Sequence, residues 1–371
     1  MLVSSWLSAL EISRIARARV QGKIHCTVTG KNGRGTVHVK RSNILIVALA
    51  LLVTACSSSK EVVVVYSPHG PEMLKDAEAA FEAAYPEVDV QWMYLGTQDV
   101  YKRVRSESKR PQADVWWGGT QTLFMKAADE KLLDAYSPTW SDKIDAQYKD
   151  SEDRWFGTYR SPIAIVYNSR GRKADEVPQT WDELLEPEWN DLISIRKPLE
   201  SGTMRTFIGA MILRGENEQA GINWLGQLHK STHAYLNSPE FLYDHMKKNQ
   251  DIISVWLLPD IALQRERNGM PLECVVPPET PVITEGIGLV ANAPHPEWAK
   301  KFYEFVTTPE ALAEQAHAYS KVPVRDDLDP AALPDWMVAQ RIDALPIDWN
   351  VFAENEKRWC DWWSDEVYEA R

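Results

Sequence analysis

Apolar residues recur along this chain at two periods, and their alternation outlines the architecture. Glu61-Val62-Val63-Val64-Val65-Tyr66 is a continuous β-branched run, the pattern of a strand buried on both faces of a parallel sheet. It stops at Ser67-Pro68-His69-Gly70-Pro71, after which Met73, Leu74, Ala77, Ala80, Phe81 and Ala84 fall on one helical stripe ending at Pro86. Val88 to Tyr94 reads as the next strand, Asp99 to Ser108 as the next helix, and Asp114-Val115-Trp116-Trp117 as a third strand halted by Gly118-Gly119-Thr120. This alternation predicts a parallel sheet with right-handed crossovers. Ligands of such sheets sit outside the strand carboxyl ends, where Ser67 to Gly70, Gly96-Thr97 and Gly118 to Thr120 fall.

A second unit begins after Trp155-Phe156-Gly157. Tyr159 to Asn168 is a strand long enough to run from one lobe into another. A helix carrying Leu184 and Leu185 follows, then a strand at Leu192 to Ile195, and Ser201-Gly202-Thr203 opens another helix through Met211. Asp251 to Leu257 reads as a buried strand ending in Leu258-Pro259-Asp260, Gly286 to Val290 as a return strand, and Trp298 to Thr307 as an amphipathic helix. Trp336, Trp349, Trp359, Trp362 and Trp363 recur at helical spacing and suit a closing helix packed on a lobe.

The amino end follows another logic. Lys40 and Arg41 precede the apolar run Ile44 to Val53, and Thr54-Ala55-Cys56 follows it, which is the order of a secretion signal. The run is far shorter than the roughly 20 residues needed to span a bilayer as a helix. Residues 1 to 38 match no targeting pattern, and translation is expected to begin near Val37 or Val39.

Charge then narrows the partners. Removing the eight Lys or Arg and the one Glu of the first 55 residues from totals of 41 and 53 leaves 33 basic against 52 acidic residues, a formal charge of about −19. Nucleic acid and anionic membrane surfaces are poor partners for such a surface. The remaining length suits two domains. Cys274 and Cys360 have no metal-site spacing; an oxidising compartment permits a bridge between them, and free thiols are equally compatible. The mature part contains no HExxH, GxSxG or GxGxxG motif, so no catalytic residue, metal or cofactor is expected.

Several segments together carry a resemblance. Val53-Thr54-Ala55-Cys56 resembles the lipobox of bacterial lipoproteins, which implies lipidation of Cys56 and a tether at residues 56–60. Val64-Tyr66-Ser67, Ala113 to Gly119, Val166-Tyr167-Asn168, Pro178 with Thr180-Trp181 and Leu184, Ser201-Gly202-Thr203 and Glu285 to Gly288 together resemble the family 1 extracellular solute-binding proteins. More narrowly, they are similar to the branch labelled ferric-iron transport, which also includes binders of phosphorylated sugars, phosphoglycerate and aminoethylphosphonate. The resemblance implies an α/β fold of the two-lobed periplasmic-binding-protein type (type II). Each lobe would be a mostly parallel sheet flanked by helices, with crossing hinge strands that close on a solute. Residues 1–55 would be the upstream extension and signal, residues 61–157 plus 270–325 one lobe, and residues 158–269 plus 326–371 the other. It further implies a monomer, lipid-anchored in the periplasm or at the cell surface, that serves an ABC permease and its ATPase. Presentation of the closed form to a histidine kinase is the alternative use of such a fold.

Ser201-Gly202-Thr203 and Ser67, His69 and Gly70 stand at helix starts, where N–H groups and the helix dipole favour an anion or serve as ordinary caps. With Thr97, Gly118, Gly119 and Thr120 they make the expected grip on a small anionic solute. Trp117 is a candidate for stacking on a sugar ring, unless strand alternation turns it to the core. Tyr159 and Arg160 open the long strand, and Arg160 and Arg205 are candidate phosphate clamps or surface ion pairs. The ferric branch presents an adjacent tyrosine pair where this chain has Leu258-Pro259-Asp260, which removes the best donors for a hard cation. The organophosphate-type relatives carry a His-Asp pair there. Asp260 matches it and implies a polyol or amine contact, while Pro259 departs from it; Glu279 or Glu285 could assist.

Overall fold

The computed structural model describes residues 60–250 and 252–368. The signal segment, the upstream extension and Cys56 lie outside the described residues.

The Val-rich run forms β1 (Glu61–Ser67), which pairs in parallel with β2 (Val88–Tyr94) on one side and β3 (Val115–Thr120) on the other. The connecting helices are Pro71–Ala84 and Thr97–Ser106. The second starts two residues earlier than its apolar stripe indicates, because Gly96 is extended and Thr97 already takes the helical turn. Alternation on these strands serves two cores. Val63, Val65, Val115 and Trp117 pack with Phe81, Phe156 and Phe302, whereas Tyr66 and Trp116 pack with Val100, Phe124 and Leu132. Each fully buried side chain of this size contributes roughly 1.5–3 kcal/mol. A strand lined on both faces must therefore be apolar where it is covered, as Val62 to Tyr66 of β1 and Val115 to Trp117 of β3 are.

After β4 (Leu133–Asp134), the 13-residue β5 (Phe156–Asn168) is shared between two sheets. Its first half pairs antiparallel with β10 (Val282–Val290) and β11 (Val322–Pro323), and its second half pairs antiparallel with β8 (Ser254–Leu257) and β9 (Leu272–Val275). On the β8 side, β6 (Ile193–Arg196) and β7 (Thr232–Leu236) run parallel, and Ser194 donates to the Ile253 carbonyl at 2.9 Å to join them to the strand entering β8. The sheets are thus mixed. The parallel pairs lie in the βαβ parts, and the crossing strands add antiparallel neighbours.

The core on the β6 and β8 side collects Ile163, Ile165, Trp181, Ile193, Phe207, Leu225 and Val255. The C-terminal helix Trp349–Trp362 and the π turn after it seal that core with Phe352, Trp359 and Trp363. Cys274 and Cys360 are separate thiols, and burial pushes each up to about 12.

Candidate ligand-binding cleft

Three strand ends and the helix starts that follow them build one side of the cleft. Gly70, Gly96 and Thr120 are the N-caps of helices Pro71–Ala84, Thr97–Ser106 and Gln121–Asp129, and none of the three helices receives a side-chain cap. Their first-turn N–H groups are therefore left to other acceptors, in the positive field of each helix end. Gly118 and Gly119 take φ of 95° and 102°, a region glycine enters without steric penalty. A Cβ at Gly118 would stand 2.7 Å from His69 Nε2, and one at Gly119 would stand 2.9 Å from Thr97 Cγ2. Only glycine lets the end of β3 lie this close to both loops.

Helix Gly202–Arg214 approaches from the other sheet. Ser201 caps it by accepting from Met204 N at 3.3 Å. A Cβ built on Gly202 would lie 3.4 Å from Thr120 Cγ2 and 3.9 Å from Thr97 Cβ. Gly202 is thereby drawn against Thr97 and Thr120 of the other sheet and Gly119 against Thr97, with Ser201 and Thr203 flanking Gly202 and Gly118 preceding Gly119 in the chain. His69 and Ser67 form its floor, with His69 N donating to Ser67 Oγ at 3.0 Å.

Behind that floor lies a buried charge cluster. Glu285 accepts from Ser161 Oγ at 2.6 Å and from Lys321 Nζ at 2.8 Å, with His69 Nδ1 at 3.7 Å. Burial alone would raise the Glu285 carboxyl; the Lys321 ammonium, His69 and the hydrogen bonds from Lys321 and Ser161 outweigh it and hold Glu285 at about 2. Burial, reinforced by the Lys321 charge and opposed by Glu285, lowers His69 to about 3. The imidazole is therefore neutral at pH 7, and Lys321 is the true counter-ion of Glu285. Asp260, at the start of helix Leu258–Asn268, accepts from Trp256 Nε1 at 3.0 Å and Tyr243 Oη at 3.5 Å. Burial raises its carboxyl, Lys321 acts against that, and Glu285 adds to it.

Other expected contacts are spent elsewhere. Trp117 is wholly buried between His69 and Phe302, since alternation along β3 turns it into the core and leaves no face for a sugar. Tyr159 is likewise sealed, its hydroxyl donating to Gln315. Arg205 is closed by Glu356 at 2.7 Å, and Glu279, exposed in the loop before β10, pairs with Arg214 at 3.2 Å. Neither Arg205 nor Glu279 reaches the cleft as a free charge. Arg160 is exposed on β5, opposite Thr284 and Val322. The apolar pattern gave no sign of Lys321 or Arg196. A lysine after a helix and an arginine closing a short strand have no local signature.

Strand carboxyl ends and helix amino ends that meet from two sheets, joined by strands running between them, are where an α/β protein holds a small ligand. The chain belongs to the bacterial extracellular solute-binding proteins, whose family model matches residues 111–355. These are transport components and not enzymes. Among sequence relatives is a protein of Sinorhizobium fredii assigned as an ABC transporter periplasmic-binding protein, 25% identical over 323 residues and covering 84% of this chain and 88% of its own. A periplasmic protein of Salmonella typhimurium assigned to 2-aminoethylphosphonate binding is 24% identical, covering 79% and 88%. Two solved structures share the fold. AfuA of Actinobacillus pleuropneumoniae, with fructose-6-phosphate bound, superposes with a TM-score of 0.72 at 24% identity over 84% of this chain and 99% of its own. The apo ferric-ion-binding protein A of Pasteurella haemolytica does so with 0.73 at 17% identity over 83% and 98%.

Proposed function

We propose that this protein captures a small anionic solute, of the phosphorylated sugar, phosphoglycerate or phosphonate type, and hands it to an ABC permease driven by its ATPase. The observation that carries this reading is the approach of Gly202 to Thr97 and Thr120. It puts the capped start of one helix against the uncapped starts of others. Converging N–H groups and hydroxyls favour a compact anion with several acceptor oxygens. Thr97, Gly118 to Thr120 and Ser201 to Thr203 take that group, and Asp260 takes a hydroxyl or amine at the other end of the solute. Residues 61–157 with the chain from β10 to residue 325, and residues 158–269 with 326–371, act as the two lobes, with β5 and the segment entering β10 as the hinge. β9, expected in the first lobe as part of 270–325, goes with the second, because it pairs with the second half of β5 and Leu272 packs in that core. The phosphonate-binding and fructose-6-phosphate-bound relatives support this class of solute.

Ferric iron fits less well. β8 runs into Leu258, Pro259 and Asp260 with no adjacent tyrosine pair, and among the described residues no group of three or more His, Cys, Asp or Glu is placed to hold a metal.

The reading is tested by thermal shift with phosphorylated sugars, phosphoglycerates, 2-aminoethylphosphonate and ferric citrate. A ligand at about 100 times its Kd stabilises the native state by about 2.7 kcal/mol, which raises the melting point by several degrees. A rise with ferric citrate alone, accompanied by a visible tyrosinate band, would reverse the assignment. Membrane attachment through Cys56 belongs to the same proposal, and Cys56→Ala is expected to release the protein from membranes.

A further inference from the structure

Arg196 is the last residue of β6 and lies beside β8, with its guanidinium carbon 5.5 Å from the Trp256 ring centroid. One terminal nitrogen donates to the Asn237 carbonyl at 2.7 Å, while Nε is buried with no hydrogen-bond partner. Three other partly buried guanidinium groups of this half are each closed by a carboxylate. Arg205 meets Glu356 at 2.7 Å, Arg214 meets Asp182 at 2.9 Å, and Arg265 meets Glu273 at 2.7 Å. Arg196 forms no ion pair among the described residues; Glu200 and Glu240 act on its charge only at longer range, as does Tyr94. Tyr94 is the last residue of β2 and is 53% exposed. The arginine therefore closes a strand carboxyl end of one sheet within electrostatic reach of a strand carboxyl end of the other. Trp256 links it to Asp260, which accepts from the same indole.

An unpaired guanidinium held against an indole and partly withdrawn from water is unfavourable in a finished structure. It is well suited to an anion that arrives later, because its planar fork is already oriented and part of its solvent has been removed. We propose that Arg196 is a solute-binding residue that selects for negative charge, contacting an anionic group of the solute on the Trp256 side of the cleft. This rests on the anionic-solute reading above. It adds a discriminating residue that the helix starts do not supply, since N–H groups also bind neutral oxygens.

The test is isothermal titration of wild type, Arg196→Gln and Arg196→Lys with inorganic phosphate, fructose-6-phosphate and 2-aminoethylphosphonate, with fructose as the uncharged control, together with the melting point of each unliganded protein. A charge-assisted contact of this kind contributes about 10- to 100-fold in affinity. Arg196→Gln should weaken whichever anion wild type binds by that factor, and Arg196→Lys should recover part of it. The unliganded Arg196→Gln protein should melt close to wild type, because the residue removed makes one hydrogen bond, to the Asn237 carbonyl, and an indole contact but no ion pair among the described residues. If the anion binds Arg196→Gln within about threefold of wild type, or if the unliganded variant melts markedly lower, Arg196 is structural and the assignment falls while the anionic-solute reading stands. If wild type binds none of the anions, both fall together.

Discussion

Replacing His69 with glutamine removes one titrating group from the floor of the cleft and leaves a polar side chain of similar reach. In the folded protein, burial and the neighbouring Lys321 charge lower this imidazole from 6.5 to about 3. In the unfolded chain it titrates near 6.5. The unfolded state therefore binds a proton that the folded state refuses, and stability falls as pH drops below the unfolded value. The contribution is fully present above pH 6.5 and is lost progressively down to about pH 3. Integrated from about pH 7.5 to about pH 5, the loss is about 2 kcal/mol, while the folded-state imidazole remains neutral throughout. Urea unfolding at those two pH values, for wild type and His69→Gln, isolates the term, because every other titrating group cancels in the difference between differences. Wild type should lose about 2 kcal/mol more than the variant on acidification. Equal losses in the two proteins would show that His69 is accessible to protons in the native state. The buried cluster with Glu285 and Lys321 would then be wrongly drawn.

Lys321→Met leaves the Glu285 carboxylate buried with Ser161 as its remaining charge-assisted donor; destabilisation of about 3–5 kcal/mol is expected in urea, largely recovered by adding Glu285→Gln. Gly118→Ala combines a φ of 95° with a Cβ 2.7 Å from His69 Nε2, and should lower stability by about 1–3 kcal/mol or more. Gly226→Ala, mid-helix with nothing within 4 Å of the added carbon, should instead stabilise by about 0.5–1 kcal/mol. Equal melting points for these two alanine variants would contradict the packing at the end of β3. Cys274 and Cys360, both pushed to about 12 by burial, should resist a disulfide reagent such as Ellman's until urea is added. Fast labelling of both thiols in the native protein would refute the burial of Cys360 and the partial burial of Cys274.

Much of the fold is legible in the sequence. The run Val62 to Tyr66, the stripe through Phe81 and the breaks at Gly118-Gly119 depend on period and turn chemistry, which act over a few residues. They define β1 to β3 and the order of the loops that face a ligand. Ser201 announced a helix start because its hydroxyl meets an N–H only three residues on. The length of the Tyr159 to Asn168 strand likewise pointed to a crossing element, and β5 divides its pairing between two sheets.

The state of the charged residues was not legible in the same way. Arg205 and Arg196 look alike as isolated arginines near the start of one helix. The first is neutralised by Glu356, 151 positions away, and the second finds no carboxylate within 4.0 Å among the described residues. Lys321 and Glu285 are 36 positions apart and meet only because β11 and β10 flank the same half of β5. Trp117 was undecided until the sheet acquired two covered faces, which made inward and outward both apolar. Local sequence determines hydrogen bonding and side-chain period because those forces saturate within a turn or a strand. Tertiary structure decides which charges are matched, since Coulomb attraction in a partly buried site depends on separations of a few ångströms that the folded chain alone creates.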